Sequence, residues 1–176
     1  MGTSISDKLG YLATSSELQT AIHNGIAYGT DWDGTINGES SLKFLGKITT
    51  KDVHFHILEG SFEKGDIRIS LYENPTITAD GTAVTTITNL NRNFADDNTV
   101  SMYLTPTVSG NGLKIGGSYD PIAGLGSGVQ SSKIGVAGGR VLKKNTDYLI
   151  VIENIDTSAV KGGLIFIWDE HIISAM

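Results

Sequence analysis

Residues 66–73 read Asp-Ile-Arg-Ile-Ser-Leu-Tyr-Glu, and apolar and polar side chains alternate along them. Ile67, Ile69 and Leu71 share one side of an extended chain, because successive side chains of a strand point to opposite faces. Such alternation is typical of a β-strand that buries one face and leaves the other in water. The segment therefore predicts a β-sheet with one covered side.

The same two-residue period continues from Leu42 to the end of the chain. Short strands in close succession, with 22 glycines to serve the turns, predict an all-β fold: an antiparallel β-sandwich of jelly-roll-like type. No strand–helix–strand alternation occurs, which argues against a parallel sheet. We expect strands at Leu42–Thr49, Val53–Phe62, Asp66–Glu73, Thr82–Leu90, Thr99–Thr107, Gly112–Ser118, Ile134–Leu142, Asp147–Ile155 and Gly163–Ile172.

The first 37 residues differ from the rest and predict an N-terminal arm, followed by a β-sandwich domain over residues 38–176. Two overlapping capping boxes begin at Thr14 and Ser16, and Asn24-Gly25 is a stop signal. They predict one helix over about residues 15–23, which is too short to be stable alone. We expect the arm to bind a partner surface or clasp a neighbouring subunit, the alternative being that it folds back on its own sandwich. Its candidate interface residues are Leu12, Leu18, Ile22, Ile26, Tyr28 and Trp32.

Composition excludes several classes of partner and site. The 176 residues include no cysteine, so disulfides, thiolate metal sites and cysteine nucleophiles are ruled out. The net charge of −6 repels phosphate backbones, so we expect no nucleic-acid partner. No apolar run approaches the roughly 18 residues of a membrane span, so we expect no membrane partner.

Residues 31–35 read Asp-Trp-Asp-Gly-Thr, which resembles the phosphate-transfer signature of haloacid-dehalogenase-type phosphatases. In that family the two aspartates act as nucleophile and acid/base, at the end of a buried parallel strand. Here neither such a strand nor the helices of an α/β sheet are predicted. We therefore interpret the motif as a turn in which aspartate and glycine supply the bend.

His54, His56 and Glu59 are the candidate metal ligands of the sequence. Two histidines at a spacing of two share one side of a strand, and the pattern resembles the first cupin motif. Cupins place the glutamate further along and add a histidine from a later strand, whereas the only later histidine here is His171. We therefore expect no metal and no cofactor, with a cupin-like metalloprotein as the less favoured alternative.

Residues 89–98 form a polar cluster rich in Asn and Asp, with Arg92 among them. Calcium or sugar binding is one interpretation; a capped surface loop tied down by Arg92 is the one we favour. No serine elbow, Walker loop or dinucleotide fingerprint occurs. We expect no catalytic residues and no enzymatic activity.

Several turn-and-strand segments resemble virion proteins of tailed bacteriophages, in particular the capsid decoration, or cement, family. They are residues 69–74 (Ile-Ser-Leu-Tyr-Glu-Asn), 78–82, 89–93 and 142–149. The resemblance implies a β-sandwich on the outer surface of the virion capsid, assembled in the host cytoplasm. Its partner is then the major capsid protein, which would be the surface that the arm binds, and proteins of this family commonly form homotrimers. A lectin-like or adhesive module, such as a phage fibre or receptor-binding component, is the main alternative.

Overall fold

The computed structural model describes residues 17–63, 65–122, 134–135 and 140–171, which form one short helix and fourteen β-strands. The helix, α1, spans residues 17–23. The strands are β1 (Ala27–Ile36), β2 (Ser40–Ile48), β3 (Asp52–Phe62), β4 (Gly65–Glu73), β5 (Thr76–Ala79), β6 (Thr82–Ala83), β7 (Thr88–Asn89), β8 (Val100–Leu104), β9 (Thr107–Gly110), β10 (Leu113–Ile122), β11 (Ile134–Gly135), β12 (Arg140–Leu142), β13 (Thr146–Asn154) and β14 (Val160–His171). Within these described ranges, no helix has the length and apolar character needed to cross a bilayer.

Two antiparallel sheets make up the sandwich. Sheet A has the order β11-β3-β14-β1-β7, with β12 also paired to β3, and sheet B has the order β10-β4-β13-β2-β8-β6. The pairs β1·β14, β2·β13, β3·β12 and β4·β10 form one long double ribbon. This ribbon curls so that β14 also pairs with β3, and β13 with β4. Such a rolled ribbon is a jelly-roll-like sandwich, and the predicted fold class is confirmed.

The core lies between the inner faces of the two sheets. Phe44 of sheet B packs against Phe166 of sheet A with ring centroids 5.0 Å apart, and Tyr28 stacks on Trp168 at 6.3 Å. Each fully buried large apolar side chain contributes about 1.5–3 kcal/mol before ordering costs. Ile67, Ile69 and Leu71 all lie in this core, as their alternation predicts.

The strand β1 corrects the predicted domain boundary. Residues 27–36 were assigned to the arm, yet they pair with β14 along their whole length and with β7 at one end. Tyr28 is buried in the core, and Trp32 packs against Phe44 edge-on with ring centroids 6.3 Å apart. The sandwich therefore begins at Ala27, and the predicted boundary between residues 37 and 38 is wrong.

The insertion between β4 and β10 also differs from the predicted strands. In place of the predicted strand Thr82–Leu90 there are two short strands, β6 and β7. The predicted strand Thr99–Thr107 is β8 up to Leu104, and β9 begins at Thr107 and runs beyond the prediction. The strand β5 was not predicted. Asn74, at the entrance to this insertion, has a φ of 54°, a left-handed conformation that asparagine tolerates well. Its backbone N–H donates to the carbonyl of Asp147, which holds the turn against β13.

The strand β13 is buried on both faces within the single chain. Tyr148, Ile150 and Ile152 lie in the inter-sheet core, while Leu149 and Val151 point to the outer face of sheet B. Leu149 and Val151 are nonetheless buried, and the register places Leu45, Tyr72, Lys43 and Ser70 beside them. The second apolar face of β13 is therefore already covered within the chain.

Candidate functional site

The outer face of sheet A carries the candidate functional site. Ile165, Ile167, Asp169 and His171 alternate along β14 and point away from the core, opposite the buried Leu164, Phe166 and Trp168. We call these four residues the outer stripe. One half of the stripe is apolar and the other half is polar.

A β-bulge in β3 brings His56 to the polar half. The pairing of β3 with β14 runs regularly up to Ile167 opposite Ile57, and then resumes with Trp168 opposite Phe55. His56 is the extra residue. Before His56, the odd-numbered residues Val53 and Phe55 face the core; after it, the even-numbered Leu58 does. The alternation of buried side chains is therefore displaced by one residue at His56. Bulges of this kind re-aim side chains and are common beside functional sites.

We call His54, His56, Asp169 and His171 the histidine cluster. His54 lies directly opposite Asp169 in the pairing of β3 and β14. Nε2 of His56 donates a short hydrogen bond to Oδ2 of Asp169, and the rings of His54 and His56 lie 4.3 Å apart between centroids. One ligand atom from each of His54, His56 and Asp169 falls within 4.8 Å of the others.

The carboxylate of Asp169 is buried and incompletely bonded. The residue is only 2 % exposed, and Oδ1 accepts no hydrogen bond in the described structure. Nε2 of His171 lies 2.6 Å from this oxygen, within ion-pair distance. Buried carboxylate oxygens normally have bonding partners. An oxygen in this state has room in its coordination for a further group.

A cleft of about 400 Å³ lies between the polar half and helix α1. His54, Asp169 and His171 line it from the sheet, and Glu17 and Thr20 line it from the helix. The backbone fixes α1 in place, because the N–H of Ile26 bonds to the carbonyl of Ala21 and the N–H of Glu170 bonds to the carbonyl of Ile26. The histidine cluster is therefore open to small solutes on one side.

Helix α1 ends where the sequence predicted. Gly25 has a φ of 68°, the left-handed conformation of a helix C-terminus, and its N–H donates to the carbonyl of Ile22. A Cβ at Gly25 would also lie 2.3 Å from the ring of Phe94, so no other residue fits there without rearrangement. The predicted helix is confirmed over residues 17–23; its first two predicted residues lie outside the described ones.

Glu170, the next residue along β14, points to the other side of sheet A and is fully bonded. Its two carboxylate oxygens accept from the N–H of Thr99 at 2.8 and 2.9 Å, and Oε2 also accepts from the Thr99 hydroxyl. Nε1 of Trp168 donates to Oε1, and Nζ of Lys51 lies 3.4 Å from Oε2. This carboxylate ties the start of β8 to the end of β14.

The structure places a third possible ligand beside the metal candidates of the sequence. The missing third ligand near His54 and His56 was the reason to expect no metal, whereas a carboxylate oxygen of Asp169 lies within 4.8 Å of a ring nitrogen of each histidine. His171 lies beside Asp169, although it was set aside on sequence grounds. The backbone of Glu59 pairs with that of Ile165, and its side chain lies outside the described part. Asp169 was missed because it is 113 residues from His56 in the chain.

The structure also tests the interpretations of the other two motifs, residues 31–35 and 89–98. Asp31 and Asp33 lie inside β1 and are exposed, so the interpretation of residues 31–35 as a turn is wrong. The strand is antiparallel to both neighbours, unlike the parallel strand that the phosphatase signature requires. The loop interpretation is confirmed for residues 90–98, where Arg92 donates to the carbonyl of Asn89 and to Oδ1 of Asp96. It is wrong for Asn89, which ends β7 and is buried.

Tyr28 connects this loop to the core. Its hydroxyl donates a 2.7 Å hydrogen bond to Oδ1 of Asp97. Burial, followed by the bond to Asp97, raises the pKa of Tyr28 well above its usual value. The same hydrogen bond lowers the pKa of the exposed Asp97 carboxyl. The pair therefore favours a neutral phenol and an ionised carboxylate.

The six arm residues named as interface candidates fall into three groups. Leu12 lies outside the described residues. Leu18, Ile22 and Ile26 are half-buried, on or just after α1. Tyr28 is buried in the core and is not available to a partner, whereas Trp32 is half-buried and packs against the core. Over residues 17–36 the arm folds back on its own sandwich.

The apolar half of the outer stripe is exposed. Ile165 is 50 % exposed, and Val141, on β12 beyond β3, is 55 % exposed on the side of His54. Ile167 is half-buried next to Leu90, above Gly29. The outer face of sheet B buries its central apolar residues, whereas the outer face of sheet A shows some of its own to solvent.

A scan against protein-family models and a search of curated proteins each gave no match.

Proposed function

We propose that this protein is a non-enzymatic structural protein of a virion, which decorates the outer surface of a tailed-phage capsid and stabilises it. Its partner is the major capsid protein, and it acts as a homotrimer. The outer face of sheet A is the docking face. The single observation that carries the proposal is the exposed isoleucine at the centre of that face, Ile165.

The segments that resemble decoration proteins support the proposal through their structural roles. Asn74 and Asn145 occupy left-handed turn positions, and their N–H groups bond to the carbonyls of Asp147 and Thr49. Asn89 is buried, and its amide bonds to the carbonyls of Gly25 and Ala95. The resemblance thus falls on residues that fix the turns of the sandwich, which is what a shared scaffold requires.

The contrast between the two outer faces supports sheet A as the docking face. An exposed apolar group inside an ordered strand is disfavoured in water and is typical of interaction surfaces. On the outer face of sheet B, Leu149 and Val151 are buried, so that face offers no exposed apolar group at these positions. Helix α1 carries the half-buried Leu18 and Ile22, and other residues of this helix form the wall of the cleft opposite sheet A.

Co-sedimentation with undecorated, expanded heads of tailed phages tests the proposal. The variant Ile165→Asp places a charge in the docking face, and Ile155→Asp is its matched control, because Ile155 is also exposed (41 %) but follows β13 of sheet B. We expect saturable binding by the wild type and by Ile155→Asp, and at least a ten-fold loss of affinity for Ile165→Asp. Equal loss in both variants, or binding by none of the three, would contradict the docking face.

The same preparations separate the proposal from the lectin-like or adhesive alternative. Binding to host-cell envelopes or immobilised glycans, without binding to heads, would favour that alternative. Light scattering over a range of concentrations tests the homotrimer. A strict monomer at all concentrations would remove the trimer from the proposal and leave the docking face standing.

A further inference from the structure

We propose that His54, His56 and Asp169 bind one divalent transition-metal ion of the zinc class on the outer face of sheet A. This inference goes beyond capsid docking and does not depend on it. The donors come from two neighbouring strands of one sheet, so the site is held by the paired backbones of β3 and β14. Among the described residues, it is the one group of three histidine, aspartate or glutamate side chains close enough to share an ion.

The donor set matches the chemistry of zinc. Two imidazole nitrogens and one carboxylate oxygen are the protein ligands of many sites that keep a further position open. Metal–ligand distances of about 2.0–2.2 Å place tetrahedral donors about 3.3–3.5 Å apart. The three donor atoms lie within 4.8 Å of one another, so small side-chain rotations close the site without moving the strands.

The contact between the side chains of His56 and Asp169 lies where the proposed ion would bind. Nε2 of His56 donates a hydrogen bond to Oδ2 of Asp169 in the described state. When a metal ion binds Nε2, that nitrogen releases its proton to solvent and Nδ1 takes one up, so the ring stays neutral. Each new metal–ligand bond replaces a bond between the ion and water.

The carboxylate of Asp169 is the anionic donor of the site. Oδ1 is buried and belongs to a residue that lines the cleft. Nε2 of His171 lies 2.6 Å from Oδ1, and the His171 side chain is 46 % exposed. Carboxylate ligands of metals are commonly oriented by such a donor. We therefore assign His171 as a positioning residue and His54, His56 and Asp169 as the ligands.

The cleft decides what else the ion can bind. His54 and Asp169 face it, so the open coordination position points into a space of about 400 Å³ beneath α1. Water or a small anionic ligand fits there.

Titration of the full chain with Zn²⁺ after chelator treatment tests the proposal, with Co²⁺ as a spectroscopic probe. We expect one equivalent to bind and the visible bands of Co²⁺ to appear. His54→Ala should weaken binding by more than about 100-fold, and His171→Gln by about 10–100-fold, the usual effect of an outer-shell partner. His23→Ala is the matched control, because His23 is exposed on α1 and its ring nitrogen bonds only to the carbonyl of Gln19.

Two results would overturn the proposal. One is no binding of Zn²⁺ by the wild type at concentrations up to about 10⁻⁴ M, an affinity at which even weak extracellular Ca²⁺ modules bind their ion. The other is equal weakening in His54→Ala and His23→Ala. Imidazole ¹⁵N spectra of the wild type test the proposal without any variant, so they remain informative even if a variant misfolds. The signals of His54 and His56 must shift with one equivalent of Zn²⁺, and those of His23 must not.

Discussion

Asp169 and Glu170 are adjacent on β14 and equally buried, yet they lie in opposite environments. Glu170 faces the inner side and receives bonds from Thr99, Trp168 and Lys51. Asp169 faces the outer side, is surrounded by histidines and keeps one oxygen without a hydrogen bond. Because successive side chains of a strand point to opposite faces, the carboxylate that stabilises the fold and the one that is open to a ligand lie on opposite sides of sheet A. The difference shows that the inner face carries structure, and it supports the outer face as the functional one.

Removing the Glu170 carboxylate should have the largest effect on stability. Glu170→Ala leaves the N–H of Thr99 and the indole of Trp168 without partners in a buried place. We expect a loss of about 3 kcal/mol or more in the free energy of unfolding, measured by urea denaturation. The control is Glu153→Ala, because Glu153 is an exposed partner of Arg68 at 3.7 Å and should lose less than about 1 kcal/mol. Similar losses in both variants would refute the structural role of Glu170.

Asp169→Asn should lower the stability less than Glu170→Ala does, but it should reduce the binding of Zn²⁺ more. Asparagine keeps the shape of the side chain and can still accept from His56, so we expect a loss of about 1 kcal/mol. The variant lacks the negative charge that a metal ligand supplies. Zn²⁺ should therefore raise the melting temperature of the wild type and leave that of Asp169→Asn unchanged. A Zn²⁺-induced rise in both proteins would show that the ion binds elsewhere.

The Tyr28–Asp97 pair should show the smallest effect, visible through its pH dependence. The pKa of Asp97 is lower in the folded state, so its contribution is fully present above the unfolded value of about 4. That contribution is lost as the pH falls through the folded pKa. We expect the stability difference between the wild type and Asp97→Asn to be constant from pH 7 to pH 5 and to disappear at lower pH. A difference that grows on acidification would contradict the hydrogen bond between Tyr28 and Asp97.

The sequence predicts the sandwich well because its core strands follow one period. Ile67, Ile69 and Leu71 alternate with polar residues, and their strand appears as expected. The strand β1 was missed because Asp31, Asp33 and Gly34 favour turns in isolation. Pairing with β14 and β7 overrides that local preference, as tertiary context commonly does in sheets.

The candidate site could be predicted only in part. His54 and His56 are visible as a pair two residues apart, since both lie on one strand. Asp169 has no local signal, and its place beside them depends on the register of β14 against β3 and on the bulge at His56. A shift of one residue in that register would turn Asp169 to the inner face. Long-range register is the information that a single sequence does not supply.

Anomalous diffraction at the zinc absorption edge, from crystals grown with Zn²⁺, tests most directly whether the outer face carries the ligand site. We predict one peak about 2.0–2.2 Å from a nitrogen of His54, Nε2 of His56 and a carboxylate oxygen of Asp169. We predict no peak at Glu170, whose oxygens are already bonded to Thr99. A peak at Glu170, or none at Asp169, would contradict the division of the two carboxylates into a structural and a ligand-binding one.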